Sequence, residues 1–241
     1  MTVITPYNNK ENKKKQVQIM FDSIAEKYDF LNHFLSFGID RFWRKKLIKK
    51  IKKYKHDRIL DIATGTADLA ISAVKLNPLQ IIGIDISENM LKIGEKKVKK
   101  LGLDQLIELK QADAENIPFS DKSFDVVMVA FGIRNFENLN AGLQEIFRVL
   151  NQGGMFIVLE FSKPTAFPIK QLYGLYSKWI LPHAGKRISG DKNAYTYLPK
   201  SVKAFPEGKE LLNMFKQQGF TSLCHKSLSF RIVTLYYGFK L

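Results

Sequence analysis

The stretch Ile59-Leu60-Asp61-Ile62-Ala63-Thr64-Gly65-Thr66-Ala67-Asp68 decides the fold. Ile59 to Ala63 is a short, largely apolar run that stops at a glycine turn, the pattern of a buried strand. Leu69, Ala70, Ala73 and Val74 then recur at helical spacing. Strand, glycine turn and helix open a nucleotide-binding βαβ unit. Gly65 permits a tight turn and lets a ligand approach the backbone. Thr66 offers a hydroxyl and an N–H near the helix N-terminus. The next strand, Ile81-Ile82-Gly83-Ile84, ends at Asp85, about 20 residues on, where such units place a ribose-binding acid. An ionised carboxylate there accepts from both ribose hydroxyls. An ordinary strand–helix turn shares the local pattern. Ala63 and Ala67 stand where G-x-G-x-x-G would have its flanking glycines. A pyrophosphate needs that close backbone approach. The pattern therefore suits a nucleoside without phosphates, such as S-adenosylmethionine, better than a dinucleotide.

The rest of the chain alternates around this unit. Ser87 is placed to cap a helix over 88–101, which Gly102 ends. Strands are expected at 107–111, at Phe124 to Phe131 and at Met155 to Phe161, with a helix over 138–150 between the last two. The run at 124–131 is apolar on both faces and hence central. A helix over 207–218 and two β-rich runs, 220–228 and 230–238, predict a closing antiparallel hairpin. The expected fold class is α/β, a doubly wound, mostly parallel, seven-stranded Rossmann-like sheet. It forms a single domain over 1–241, in which 1–58 make an N-terminal helical cap and 59–162 the cofactor-binding core. Residues 163–206 form a substrate-side insertion after strand five, rich in Pro and aromatics (Pro182 and Trp179 among them), and 207–241 the closing helix and hairpin.

Charge is uneven along the chain. The net charge is +15 over 241 residues: +9 in residues 1–58, −4 in 59–161 and +10 in 162–241. Basic flanks around an acidic core suit an anionic surface, nucleic acid or lipid. Residues 1–15 read as a mobile arm, followed by an amphipathic helix from Val17 to Tyr28. The apolar connection from Tyr28 to Gly38 reads as a lid or pocket wall. A helix is expected over about 40–55, and ten Lys/Arg fall in the run from Arg41 to Arg58, making a solvated basic face or a bilayer-adsorbing one. Cys224 is the only cysteine, which excludes an internal disulfide. Absence of a signal-peptide pattern or long apolar run predicts a cytoplasmic protein.

Five stretches together resemble one family, the S-adenosylmethionine-dependent C-methyltransferases of menaquinone and ubiquinone biosynthesis. They are Tyr28-Asp29-Phe30-Leu31-Asn32 with Ser36 and Trp43; Leu60 to Asp68; Phe131-Gly132-Ile133-Arg134-Asn135; Arg148 to Pro164; and Tyr197-Leu198-Pro199-Lys200-Ser201 with Phe205-Pro206. Asp40 departs from the family's usual histidine, Leu31 from its methionine, and Asn151-Gln152 from its Lys-Pro. The resemblance implies cofactor contacts at Thr66, Asp85, Asp113 and Ala114, with Gly65 and Ala63 forming the turn. It implies methyl transfer to a ring carbon of a prenylated demethylquinol, with 2-demethylmenaquinol ahead of the benzoquinol precursor of ubiquinone. Arg134, just past strand four, is the catalytic candidate; an ion pair to Glu137 or Glu160 is its plainer role. His33, Tyr195 and Tyr197 are candidates for base or substrate contact. No metal is expected. The expected partners are the quinol and, peripherally, the inner face of the membrane, with room for a homo-oligomer. A nucleic-acid methyltransferase is the further alternative, carried by the pI of about 9.7 alone and by no base-flipping or RNA-binding motif.

Overall fold

The computed structural model describes residues 4–7, 9–180 and 191–241. Pro182 and the rest of 181–190, the middle of the expected insertion, lie outside the described residues. Seven strands form one sheet: β1 (Arg58–Ile62), β2 (Gln80–Asp85), β3 (Ile107–Gln111), β4 (Phe124–Ala130), β5 (Leu150–Phe161), β6 (Thr221–Leu228) and β7 (Val233–Phe239). Their order is β3-β2-β1-β4-β5-β7-β6. The first five are parallel; β7 runs antiparallel between β5 and β6. Strand order reverses between β1 and β4, the crevice where open α/β sheets bind ligands.

The central strands are buried on both faces, and their side chains alternate between two cores. Leu60, Ile62, Val127 and Val129 face one core with α5 (Leu139–Val149) and α8 (Lys209–Gln217). Ile59, Val126 and Met128 face the other, with α2 (Ile39–Ile51), α3 (Asp68–Ala73) and Val98 of α4 (Glu88–Lys100). Ser87 caps α4, accepting from Met90 N. The basic helix α2 ends sooner than its charge run suggests, and Lys52 to Tyr54 form a turn. Its apolar stripe, Trp43, Leu47 and Ile51, seats it on the sheet.

Two expectations are corrected. Helix α1 runs Lys13–Leu35, so the apolar connection after Tyr28 is helix up to Leu35. It is apolar on several sides because it packs on α4 and on α7 (Lys192–Ala204) while also walling a chamber. The segment before α1 is not a free arm. Asn12 caps the helix, accepting from Lys15 N at 2.9 Å, and Tyr7 donates to Asp191. Lys13 Nζ donates to the carbonyls of Phe136 at 2.6 Å and Arg134 at 3.1 Å. The described insertion is also helical: α6 (Ile169–Leu175), a π turn (Tyr176–Ile180) and α7, with Pro199 inside the helix.

Leu47 has no exposed surface and lies at the centre of the α2 seam. Replacing it with Ala removes that packing and leaves a cavity under the helix. Leu47→Ala should cost about 2–5 kcal/mol in urea unfolding; a cost below about 1 kcal/mol would mean that α2 is not docked this way.

Candidate active site

The turn after β1 is built by backbone conformations that the sequence does not advertise. Ala63, Gly65 and Ala67 all have positive φ, at 53, 55 and 66°. Two alanines therefore adopt the left-handed conformation that glycines would take more readily, at about 1–2 kcal/mol each. Opposite them the loop after β4 comes very close: a Cβ on Gly132 would lie 2.4 Å from Ala63 Cβ. Thr64 locks the turn. Its N–H donates to Ile84 O at 3.0 Å and its hydroxyl to buried Asp61 Oδ2 at 2.6 Å.

Asp85 closes the same turn from β2. Its Oδ2 accepts from Gly65 N at 2.8 Å and its Oδ1 from Ser87 N at 2.9 Å. Burial pushes its pKa up to about 6, against the pull of these N–H donors. Burial likewise raises Asp61 to about 7, against the Thr64 hydroxyl. For folding, both carboxyls favour the neutral form. Their contribution is fullest below about pH 3.8 and is lost as pH rises through about 6 and 7.

A cleft of 70 Å³ opens here, lined by Ala63, Gly65, Asp85, Asp113 and Ala114, with Met90 and Phe136. Those five sequence-chosen residues thus share one cleft at the carboxyl edge of β1, β2 and β3. Asp113 accepts from Glu115 N at 2.9 Å and from Lys14 Nζ at 2.6 Å. Thr66 does not line it. Its hydroxyl donates to Asp29 and accepts from Lys97 at 3.2 Å, away from the cleft. The cleft fits an adenosyl group on its own features: a buried carboxylate beside the glycine turn for the ribose, apolar walls, and a second acid on the β3 loop. Sequence reading placed Tyr28 in a pocket wall but missed Phe21 and Lys14 as wall residues. A helix face gives no signal of which cavity it borders.

A larger chamber, 360 Å³, adjoins the cleft and shares Phe21, Tyr28 and Phe131 with it. Its lining is aromatic and aliphatic, with Trp43, Phe161, Leu172 and Tyr176. Arg134, Tyr195 and Tyr197 line it; His33 does not. His33 is turned into a charge cluster, Nδ1 at 2.8 Å from Asp40 and Nε2 at 3.7 Å from Asp68. Burial raises both tyrosines, Tyr197 to about 12, so they are neutral donors and not bases. Tyr197 donates to Asn135 Oδ1 at 3.1 Å.

Of the two ion-pair partners weighed for Arg134, the structure selects Glu160. Nη1 lies 2.8 Å from Glu160 Oε1 and also donates to Phe131 O. Glu137 instead accepts from Lys13 N at 3.0 Å. Burial raises the Glu160 carboxyl, although Arg134 pulls it down. Arg134 Nε is buried with no partner among the described residues.

Because ribose hydroxyls bond best to an ionised carboxylate, cofactor affinity should fall as pH drops through about 6. Asp85→Asn should flatten this profile and weaken binding by about 1.5–3 kcal/mol at pH 8. Calorimetry showing an unchanged profile in the variant would remove Asp85 from the contact.

Comparisons with known proteins agree with this geometry. A demethylmenaquinone methyltransferase of Bacteroides fragilis is 48% identical over 234 residues, covering 97% of this chain and 96% of that protein. One of Porphyromonas gingivalis is 45% identical over 239 residues, covering 98% of each. A ubiquinone/menaquinone biosynthesis C-methyltransferase of Geotalea daltonii is 44% identical, covering 95% of this chain and 97% of that protein. Among solved structures, a SAM-dependent methyltransferase of Thermotoga maritima superposes with TM-score 0.66 at 19% identity, covering 93% of this chain and 99% of its own. The [4+2]-cyclase SpnF superposes with TM-score 0.67 at 22% identity, covering 92% and 78%. The cyclase shows that the fold alone does not fix the reaction. The ubiE/COQ5 methyltransferase family matches residues 8–240, and with relatives this similar over nearly the whole length the chain belongs to that family.

Proposed function

We propose that this enzyme methylates a ring carbon of a prenylated demethylquinol, 2-demethylmenaquinol, at a bilayer surface. The observation that carries the reading is the apolar aromatic chamber joined to the nucleoside cleft through Phe21, Tyr28 and Phe131. S-Adenosylmethionine supplies a methyl group already activated on a sulfonium. The protein has to align the ring carbon and make it nucleophilic. Alignment of this kind contributes about 7–11 kcal/mol. The carbon becomes nucleophilic when the adjacent ring hydroxyl loses its proton, and a phenol ordinarily titrates near about 10.

Arg134 supports that ionisation. A guanidinium cannot act as a simple base, but it donates to a phenolate. Glu160 and Phe131 O fix its orientation at the chamber wall. The names of the Bacteroides and Porphyromonas relatives favour the naphthoquinol. The Geotalea relative's name keeps the benzoquinol precursor of ubiquinone as the second reading.

No helix of the described residues is long and apolar enough to cross a membrane. A polyprenyl substrate must then be met at the bilayer surface. Phe37, in the turn between α1 and α2, lines the chamber and is 82% exposed; Phe30 and Phe34 on α1, Phe42 on α2, Leu172 on α6 and Trp179 in the π turn are also exposed. Lys46 lies over the Phe42 ring and Lys178 over Trp179. An apolar rim with ammonium groups beside its rings suits the interfacial zone of an anionic leaflet, where each basic residue adds about 1 kcal/mol.

Removing Arg134 alone would strand a buried carboxylate. The double change Arg134→Met with Glu160→Gln should hold the fold and cofactor affinity while turnover falls by about a hundredfold or more. Normal turnover would dismiss Arg134 from the mechanism. In flotation assays the wild type should rise with phosphatidylglycerol vesicles and be released by salt, and Phe34→Glu with Phe37→Glu should stay in the dense fraction. Equal recovery with neutral lipid would reject the electrostatic part.

A further inference from the structure

The chamber has a second polar pole, away from Arg134 in sequence and in its partners. Asp40, the second residue of α2, is the only carboxylate lining the chamber among the described residues. Its Oδ2 accepts from Arg44 Nη1 and from His33 Nδ1, the latter at 2.8 Å. Its Oδ1 accepts from Ser36 Oγ at 2.8 Å. Arg44 Nη2 and His33 Nε2 continue to Asp68 at 3.4 and 3.7 Å, so the groups that hold the carboxylate are themselves anchored. Each carboxylate oxygen has room for two donors. Oδ2 has both; Oδ1 has Ser36 alone among the described residues. Burial would raise the Asp40 pKa, but Arg44, Ser36 and His33 outweigh it and hold the group below its usual range. The side chain is therefore an acceptor that cannot donate.

We propose that Asp40 reads the redox state of the substrate ring, its Oδ1 accepting a hydrogen bond from a ring hydroxyl of the quinol and repelling the carbonyl of the quinone. The inference rests on the quinol reading above. A quinol carries hydroxyls at opposite ends of the ring; a quinone carries only carbonyls. Arg134 donates only and takes either form. Asp40 accepts only and takes one. A carbonyl set against it leaves a buried charge facing a lone pair, the kind of mismatch that discriminates strongly between near-isosteric ligands. The donor sulfonium and the reduced ring would then be selected by separate cavities of one molecule.

The test is anaerobic binding of a short-tailed demethylmenaquinol, its quinone and its di-O-methyl ether to the full chain loaded with S-adenosylhomocysteine, so that no turnover occurs. The wild type should bind the quinol at least about tenfold more tightly than the quinone or the ether, the scale of a hydrogen bond to a charged group. Asp40→Asn, whose amide both donates and accepts, should bring quinol and quinone to within about threefold. Melting temperature and cofactor affinity report whether that variant folds; should it not, the wild-type comparison of quinol with ether decides alone. A wild type without preference, or a variant with the preference intact, overturns the role given to Asp40. A wild type that holds cofactor but binds none of the three rings overturns the quinol reading and this inference with it.

Discussion

The bond from Gly65 N–H to the Asp85 carboxylate holds this structure's working edge together. It ties the turn after β1 to the end of β2. With Thr64 N–H on Ile84 O, it fixes the path of a loop that contains three positive-φ residues. The arrangement is costly. Asp85 and Asp61 are both taken out of water, and both titrate above their ordinary range. Backbone N–H groups and a threonine hydroxyl offset part of that cost. The remainder is a standing preference for neutral carboxyls, which a ligand with two hydroxyl donors would relieve at Asp85. Strain in the alanines and desolvation in the acids sit side by side, as stored cost does at sites that must receive a ligand.

Much of this edge was legible in the sequence because it depends on local pattern. A run of apolar residues, a glycine and an acid about twenty positions later are short-range facts. They place Ala63, Gly65 and Asp85 at one cleft; Asp113 and Ala114, which line it too, were named by the family resemblance and not by the local pattern. Thr66 was not legible, because whether its hydroxyl faces the cleft or Asp29 depends on α1, which is remote in sequence. His33 failed for a related reason. A histidine on a helix reads as a candidate until Asp40 and Asp68 are seen to hold it. The insertion's helices were hidden by prolines that read as breakers, although Pro199 sits inside α7. Arg134 is the intermediate case: sequence named both candidate acids, and only the sheet brings the end of β5 beside it.

The two cavities share a wall, and that wall has a chemical consequence. Phe21 and Tyr28 of α1, with Phe131 after β4, separate the nucleoside cleft from the chamber. Burial raises Tyr28, so the junction carries no ionised side chain of its own. Joining a cationic donor to an anionic ring diminishes charge on the way to the transition state. Surroundings of low polarity resist that loss less than water does. Arg134 lines the chamber but not the cleft, and its guanidinium is tied to Glu160. Helix α1 therefore does more than cover the sheet. Its Lys13 and Lys14 bind the loops after β4 and β3, and its middle forms the apolar junction. Its last two turns carry exposed Phe30 and Phe34, and Phe37 follows in the turn to α2, so one helix runs from the cofactor cleft towards the exposed apolar rim. A rigid helix in that position couples the two cavities in distance, which in-line transfer requires and a flexible lid would not secure.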